Sequence, residues 1–393
     1  MRLGTEEELV QVARELGPLI REHADEAERA RRLSQPVIEA LREAGLFRLY
    51  PPRSLGGLEV DPITCARVVE EVSGYDSAAG WALMIGNAMD WWCARLPDAG
   101  AEEIYSEGPD TIIAAAFNPP MQAVEVDGGY RVKGRNPLAS NVSEASWLFV
   151  PALVMDGEQP RMSGGQPEVV GAFMPAGDCQ IVDTWHALGM RGTDSNDVAV
   201  EDVLVPASRT YPIAPEFEPG THYQGPLYRM PAMGGAVLVW APVGLAVARA
   251  AIDELASLAL GKTPFASSTT LRERASAQAK LGRADGLVRS ARALLYEELS
   301  GAWARTVAGD ESSIEQKADL LLAAVNAIDS SARVTQLMYD AAGTTAIYTR
   351  SPLERHFRDM QVVKQHGFLS ESRYETVGQV RLGLPPDLAV VAL

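Results

Sequence analysis

The chain has 393 residues, of which 47% are hydrophobic and 22% are charged, and its formal net charge is −17. This composition excludes a disordered or fibrous chain, and the acidic balance argues against binding to nucleic-acid phosphates or to an anionic membrane surface. The length predicts two or three domains with a well-buried core.

Residues 1–108 are predicted to form an N-terminal helical domain. Helix start signals recur along this part: Ser34, Asp61 and Asp76 are residue types that accept hydrogen bonds from the first backbone N–H groups of a helix, and each precedes an apolar stretch. Gly45 suits the end of the first of these helices, because glycine readily adopts the left-handed conformation found there.

Residues 109–229 are predicted to form a β domain that ends in a connector containing Pro and Gly. The clearest signal is a hairpin, in which valines before an Asp127-Gly128 turn face Tyr130 and Val132 after it. Further valine-rich stretches, punctuated by Gly and Pro, follow up to about residue 210.

Residues 230–393 are predicted to form a C-terminal helical bundle, because apolar residues recur there with the helical period over long stretches. The run from Met230 to Ala248 contains no charged residue. Its prolines and glycines favour a helix wrapped by other helices over a membrane span. A last helix is expected from about Leu353 to Val380. The predicted fold is therefore mainly α with a central β domain.

The cysteines and the N-terminus indicate a cytoplasmic protein. Cys65, Cys93 and Cys179 lie far apart, and three thiols cannot all pair with one another. They show no metal-ligand spacing, so a reducing compartment and the absence of a metal site are expected. The charged N-terminal stretch also lacks the apolar core of a secretion signal.

The chain lacks the local motifs of several large enzyme classes. It has no phosphate-binding Gly-rich loop, no HExxH zinc motif and no GxSxG nucleophile motif. These absences disfavour a Rossmann dehydrogenase, a P-loop ATPase, a zinc protease and a serine hydrolase. Taken alone, His366 is compatible with an ordinary histidine on a helix face as well as with a catalytic role.

Four segments, in this order, resemble the acyl-CoA dehydrogenase superfamily and together span nearly the whole chain. They are LREAGLFRLYPPRSLGGLEVD (41–61), GGYRVKGRNPLASNVSEASWLFV (128–150), WHALGMRGTDSNDVAVEDVLVP (185–206) and AAGTTAIYTRSPLERHFRD (341–359). The resemblance implies an acyl-CoA dehydrogenase-like fold, with a barrel-like middle domain, that binds a flavin between the β domain and the bundle. It also implies assembly as a homotetramer.

The residue at position 366 bears on the branch of the superfamily. Many of the dehydrogenases carry a Glu-Gly-Thr motif after this C-terminal signature, whereas this chain has His366-Gly367. A histidine there resembles the oxygenase components of two-component flavin monooxygenases. These use O₂ and reduced FMN or FAD from a separate flavin reductase to hydroxylate, or to oxygenate at nitrogen or sulfur, a small organic and often aromatic substrate. Two alternatives stay open: an FAD-dependent acyl-CoA dehydrogenase with Glu254 or Glu371 as its base, and a non-catalytic flavin-fold binding protein.

The resemblance also implies site residues. His366 is expected to move a proton in the reaction, and Ser140 to lie near flavin N5. The remaining expected flavin contacts match family positions in the β domain and, for the last three, in the bundle of the same or a neighbouring subunit: Asn118, Asn141, Trp185, Ser195, Asn196, Gln278, Gly343 and Thr344.

Overall fold

The computed structural model describes residues 5–214, 217–388 and 391. The described N-terminal part is helical up to Ile104. Its helices are α1 (Glu6–Ala30), α2 (Gln35–Glu43), α3 (Pro62–Ser73), α4 (Ser77–Ala88), α5 (Asp90–Cys93) and α6 (Asp98–Ile104). Asp61 and Asp76 accept hydrogen bonds from the first N–H groups of α3 and α4, which confirms these two start signals. Ser34 precedes α2 without such a bond, and Gly45 is left-handed with φ 72°.

The middle of the chain forms a mixed sheet. Its strands are β1 (Ile113–Ala115), β2 (Met121–Val126), β3 (Gly129–Ala139), β4 (Trp147–Asp156), β5 (Gln159–Pro160), β8 (Val169–Pro175), β9 (Gln180–Val182), β10 (Asn196–Pro206) and β11 (Thr210–Pro212), while β6 (Met162–Ser163) and β7 (Gln166–Pro167) form a separate pair. The order is β11-β8-β4-β2-β3-β10-β9, with β1 and β5 also paired to β4. The β2–β3 pair forms the predicted hairpin, but the predicted facing of the valines is wrong by one residue. Ala123 and Glu125 lie opposite Val132 and Tyr130, whereas Val124 and Val126 lie opposite Arg131 and Gly129.

The C-terminal part is a bundle whose long helices α7 (Ala241–Gly261), α8 (Ala275–Ala308) and α9 (Ile314–Ala342) pack on one another, followed by α10 (Pro352–Val363) and α11 (Arg373–Arg381). The helix spanning Met233–Gly261 is long and apolar enough to cross a membrane, but 88% of its most apolar window is buried inside the protein. It is therefore a core helix, as the sequence predicts, and the same chain covers most of its apolar surface.

The last predicted helix, from Leu353 to Val380, is wrong as a single element. Helix α10 ends at Val363, turns occupy residues 364–372, and α11 begins at Arg373. His366 accordingly lies in a turn and not on a helix face. The break matters for the site because it places His366 and Phe368 between the two helices, where their rings contact Trp81 and Phe117.

Candidate functional site

A chain of three buried hydroxyls lies where two strands meet. Ser140 follows β3 and Ser195 precedes β10, and because these strands are antiparallel neighbours with Ala139 opposite Asn196, the two serines come together. Their Oγ atoms are 2.8 Å apart, and Ser195 Oγ is 2.7 Å from Thr193 Oγ1. Thr193 in turn donates to the Met190 carbonyl. The sheet thus holds a row of hydroxyls with defined spacing.

Trp81 connects this row to the rest of the molecule. It lies on α4 and donates its indole N–H to Ser140 Oγ at 3.0 Å. Its ring contacts His366, with 5.5 Å between centroids, and Trp240, with 6.4 Å. The N-terminal helices, the sheet and the bundle therefore meet at one place, which brings His366 close to Ser140.

His366 packs between aromatic rings and has little polar support. It contacts Trp240 edge to face, with 4.7 Å between centroids, and Phe368, with 5.8 Å. Its only hydrogen bond to the described residues is a long one of 3.4 Å, donated by the Phe368 N–H to Nδ1. Burial lowers the pKa of His366 to about 4, because the surroundings disfavour the charged imidazolium. The ring is therefore neutral at pH 7, with one unprotonated nitrogen that accepts hydrogen bonds.

Aromatic side chains extend the site away from His366. Phe368 contacts Phe117, with 5.9 Å between centroids, and Phe117 contacts Trp92 and Phe149 at 6.0 and 5.6 Å. Trp92 and Phe149 stack at 5.7 Å with an interplanar angle of 18°. This series of rings, from Phe368 through Phe117 to Trp92 and Phe149, is called the aromatic wall below. It suits a flat, apolar molecule.

The loop before β10 is held by Asn196. The Asn196 Oδ1 accepts from the N–H groups of Thr184 and Trp185, both at 2.9 Å, and its Nδ2 donates to Asp194 at 2.7 Å. The Trp185 indole N–H donates to the Met190 carbonyl at 3.1 Å, and the ring stays half-buried. Asn196 thus positions Trp185, and both of its amide atoms are already engaged.

Helix α10 is anchored to the same loop by Asp359. This buried carboxylate accepts from the Met190 N–H and from the Ser77 hydroxyl, each at 2.6 Å. Burial raises its pKa. A side chain at Gly189 would place Cβ 2.4 Å from the carbonyl of Arg358, so glycine is required for this approach. The anchor fixes the helix end that leads to His366.

Buried polar atoms without protein partners fit the polar edge of a flavin. Among the described residues, Asn141 Nδ2, Asn136 Oδ1 and Trp240 Nε1 are buried and unpaired. An unmade buried hydrogen bond costs about 1–3 kcal/mol, so these atoms favour a bound molecule with both donors and acceptors. Asn141 directly follows Ser140, and the Trp240 ring contacts both Trp81 and His366, so these two unpaired donors belong to residues beside the hydroxyl row.

The other predicted contacts lie at the surface. Asn118 is exposed in the loop between β1 and β2, and Gln278, Gly343 and Thr344 are exposed at one end of the bundle. No hydrogen bond among the described residues joins these four to the hydroxyl row. Glu254 and Glu371, the carboxylates considered as bases for thioester chemistry, are exposed as well.

Several site residues were not identified from the sequence. Trp81 and Thr193 belong to no motif that marks them as site residues, and Trp240 lies in the charge-free run that the sequence predicts only as a buried helix. The available signal was their chemistry, because a buried Trp N–H or Thr hydroxyl needs a partner. Arg95, discussed below, carried a similar signal, since it is a charge directly after an apolar stretch.

Comparisons with known proteins agree with this geometry. Family models described as the acyl-CoA dehydrogenase N-terminal and C-terminal domains match residues 5–104 and 238–371. The indole-3-acetate monooxygenase of Pseudomonas putida is 33% identical, over 92% of this chain and 90% of that protein. The oxygenase subunit of the flavin-dependent monooxygenase HsaA of Mycobacterium tuberculosis is 29% identical over 95% of each chain. The crystal structure of 3-HSA hydroxylase from Rhodococcus sp. RHA1 has a TM-score of 0.89 at 26% identity, covering 97% of this chain and 98% of that one.

Proposed function

Because the chain belongs to the acyl-CoA dehydrogenase family, and within it to the flavin-dependent monooxygenases, we propose that it oxygenates a planar aromatic substrate of the indole type. The observation that carries the proposal is the position of His366, a neutral imidazole between the hydroxyl row and the aromatic wall. A separate reductase supplies the reduced flavin, as for an oxygenase component.

Ser140, the aromatic wall and His366 have separate roles in the proposed reaction. Bound reduced flavin supplies the activation of O₂. Ser140 accepts the Trp81 N–H and so retains its own proton to donate, either to Ser195 or to a flavin atom. The aromatic wall holds the substrate ring and excludes water. His366 accepts the proton that an aromatic N–H or O–H loses when the ring is oxygenated.

The exposed carboxylates argue against the dehydrogenase alternative. Removing a proton beside a thioester requires a base within hydrogen-bond reach of that proton. Glu254 and Glu371 both face solvent, and Glu371 lies in the turn segment five residues after His366. His366 is the titratable side chain that contacts the rings next to Ser140.

The test uses purified protein, a flavin reductase, NADH and isotopically labelled O₂. Indole-3-acetate and indole are offered as substrates, and mass spectrometry detects incorporation of one labelled oxygen atom. His366→Ala should lower product formation by roughly 10²–10⁴-fold. Glu371→Gln, an exposed carboxylate a few residues away, is the matched control and should retain wild-type activity.

The opposite outcome is equally clear. If no labelled oxygen enters either substrate, while an acyl-CoA is oxidised in a manner that depends on Glu371 or Glu254, the monooxygenase assignment is wrong. If His366→Ala oxygenates as well as wild type, the proposed role of His366 is wrong even if the reaction class holds.

We also infer a homotetramer whose subunits meet at the free end of the bundle. Phe265 is fully exposed, and Leu260, Ile347 and Tyr348 are 63%, 58% and 50% exposed. The Lys262 ammonium group donates to the Ala342 carbonyl and to the Thr345 hydroxyl. The end of α7 with Leu260 and the loop with Phe265 therefore lie beside the loop that carries Ile347 and Tyr348. Several exposed apolar side chains at one end of the bundle favour an interface there.

A tetramer of this kind would also explain why the remaining predicted flavin contacts are exposed in a single chain. Gln278, Gly343 and Thr344 are exposed at the same end of the bundle, where a neighbouring subunit would present its flavin. A cytoplasmic location fits the cysteines, since Cys65, Cys93 and Cys179 are all free thiols.

A further inference from the structure

Arg95 is a buried cation without a counter-ion among the described residues. It follows α5, is 7% exposed, and its Nε and Nη1 atoms make no hydrogen bond there. Burial lowers its pKa to about 10. Charged groups are rarely buried unless they are paired, because their desolvation is expensive. The guanidinium therefore requires an explanation.

Aromatic faces surround the guanidinium but do not neutralise it. Its carbon lies 3.7 Å from the ring centroid of Phe217, 4.1 Å from Trp91 and 5.2 Å from Trp92. Cation–π contacts of this kind offset part of the desolvation cost, but they give the Nε and Nη1 atoms no acceptor. The Trp92 N–H and the Tyr211 hydroxyl are also buried and make no hydrogen bond within the described part of the chain. Over residues 5–214, 217–388 and 391, the region thus holds several donors and no anion paired with Arg95.

The aromatic wall joins Arg95 to His366. Trp92, which the guanidinium contacts, touches Phe117; Phe117 touches Phe368; and Phe368 touches His366. A flat molecule on this wall would have the neutral imidazole at one end and the guanidinium at the other. The two ends differ in charge, so they orient a substrate that carries a negative group on one side of its ring.

We propose that Arg95 binds the carboxylate of an aromatic acid, so that the substrate class is an aryl-acetate and not a neutral arene. The inference deepens the proposed function and rests on it. A carboxylate matches the planar fork of a guanidinium through two parallel N–H···O bonds. It also accepts from the unpaired Trp92 N–H or Tyr211 hydroxyl. The aryl ring then lies on the aromatic wall with its reactive carbon directed toward His366.

The test measures binding and does not need turnover. Calorimetry compares indole-3-acetate with 3-methylindole, which has the same ring and lacks the carboxylate, on the protein with and without reduced flavin under anaerobic conditions. Wild type should bind indole-3-acetate more tightly. Arg95→Met should weaken indole-3-acetate binding by about 30-fold or more, the usual cost of leaving one member of a buried charge pair unpaired. Binding of 3-methylindole should change less than about threefold, because neither side chain offers that ligand a charge.

Two further variants guard against a purely structural effect. Arg209 lies 5.4 Å from the Trp147 ring, and its Nε and Nη1 atoms, like those of Arg95, are buried and make no hydrogen bond among the described residues. It differs from Arg95 in having a counter-ion, Glu103 at 3.5 Å, so Arg209→Met should leave both affinities unchanged. Arg95→Lys keeps the charge and loses the fork, and it should retain a reduced preference for the acid even if Arg95→Met folds poorly.

Two results would overturn the proposal. Wild type that binds both ligands equally has no carboxylate site. An Arg95→Met variant that weakens both ligands alike has lost structure only. If instead the preference depends on Arg95 but no oxygen is transferred, the binding site stands and the proposed function fails.

Discussion

Replacing Ser140 by alanine separates the packing role of the hydroxyl row from its role toward the flavin. The Ser140 Oγ accepts the Trp81 N–H at 3.0 Å and lies 2.8 Å from Ser195 Oγ. Both Ser140 and Trp81 are buried, at 7% and 6% exposed. The Ser140→Ala variant therefore removes an acceptor for a buried donor that water does not readily reach.

The size of the effect follows from that unpaired donor. Leaving the Trp81 N–H without an acceptor should lower the free energy of unfolding by about 1–3 kcal/mol. Trp81→Phe removes the donor while keeping an aromatic ring against His366, although the smaller ring adds a packing cost. The double variant lacks both the donor and the acceptor, so no buried donor remains unpaired. Its loss of unfolding free energy should therefore be smaller than the sum of the two single losses by roughly 1–2 kcal/mol.

Two assays are needed. Urea unfolding followed by circular dichroism gives the coupling between Ser140 and Trp81, and the ratio of H₂O₂ released to product formed reports on the reaction. We expect Ser140→Ala to raise this ratio, because the hydroxyl that we propose to face the flavin is lost, and Trp81→Phe to raise it less. Additive stability losses would refute the hydrogen bond, and an unchanged H₂O₂ ratio would refute the flavin contact.

Other predictions concern acid stability, the anchor of α10 and assembly. Burial, together with nearby arginines, lowers the pKa of His356 from its ordinary 6.5 to about 4. Between pH 6.5 and pH 4, His356 therefore binds a proton in the unfolded chain but not in the folded chain. Stability should therefore fall as the pH drops from 6.5 to 4, and His356→Gln should reduce that fall by up to about 3 kcal/mol in urea titrations at several pH values; an unchanged slope would contradict the burial effect. Asp359→Ala leaves the Met190 N–H and the Ser77 hydroxyl unpaired and should cost about 2–4 kcal/mol, whereas Asp359→Asn should cost less; equal losses would mean that charge alone matters. Phe265→Asp should shift sedimentation-velocity profiles from tetramer toward smaller species, and an unaltered profile would place the interface elsewhere.

The sequence predicts the layers of the molecule well because each layer has its own hydrophobic period. The helical, β and helical parts, the Asp61 and Asp76 caps and the Asp127-Gly128 hairpin all follow from local rules. The approach of Ser140 to Ser195 follows from the ends of two paired strands. The predicted identity of the reaction, in contrast, came from family resemblance and from His366 standing in place of a Glu-Gly-Thr motif.

The rest of the site was not predictable from local pattern. Residues 364–372 contain no proline and one glycine, so nothing nearby requires the helix to stop after Val363. The turn is stabilised by tertiary contacts, because His366 and Phe368 both pack on Trp240, more than a hundred residues earlier in the chain. Such contacts override helix propensity, which is a weak preference worth less than about 1 kcal/mol per residue.

The division of the site among three parts of the chain has a functional consequence. Trp81 from the N-terminal helices, Ser140 from the sheet and His366 from the bundle meet within hydrogen-bonding or ring-contact distance. None of them is positioned by its own domain alone. A change that shifts one domain relative to the others must therefore alter the Trp81–Ser140 hydrogen bond and the His366 ring contacts together. Product formation should then be lost before global unfolding, because the site lies at the core that the three parts share, whereas the sheet and one end of the bundle also have separate cores that can persist.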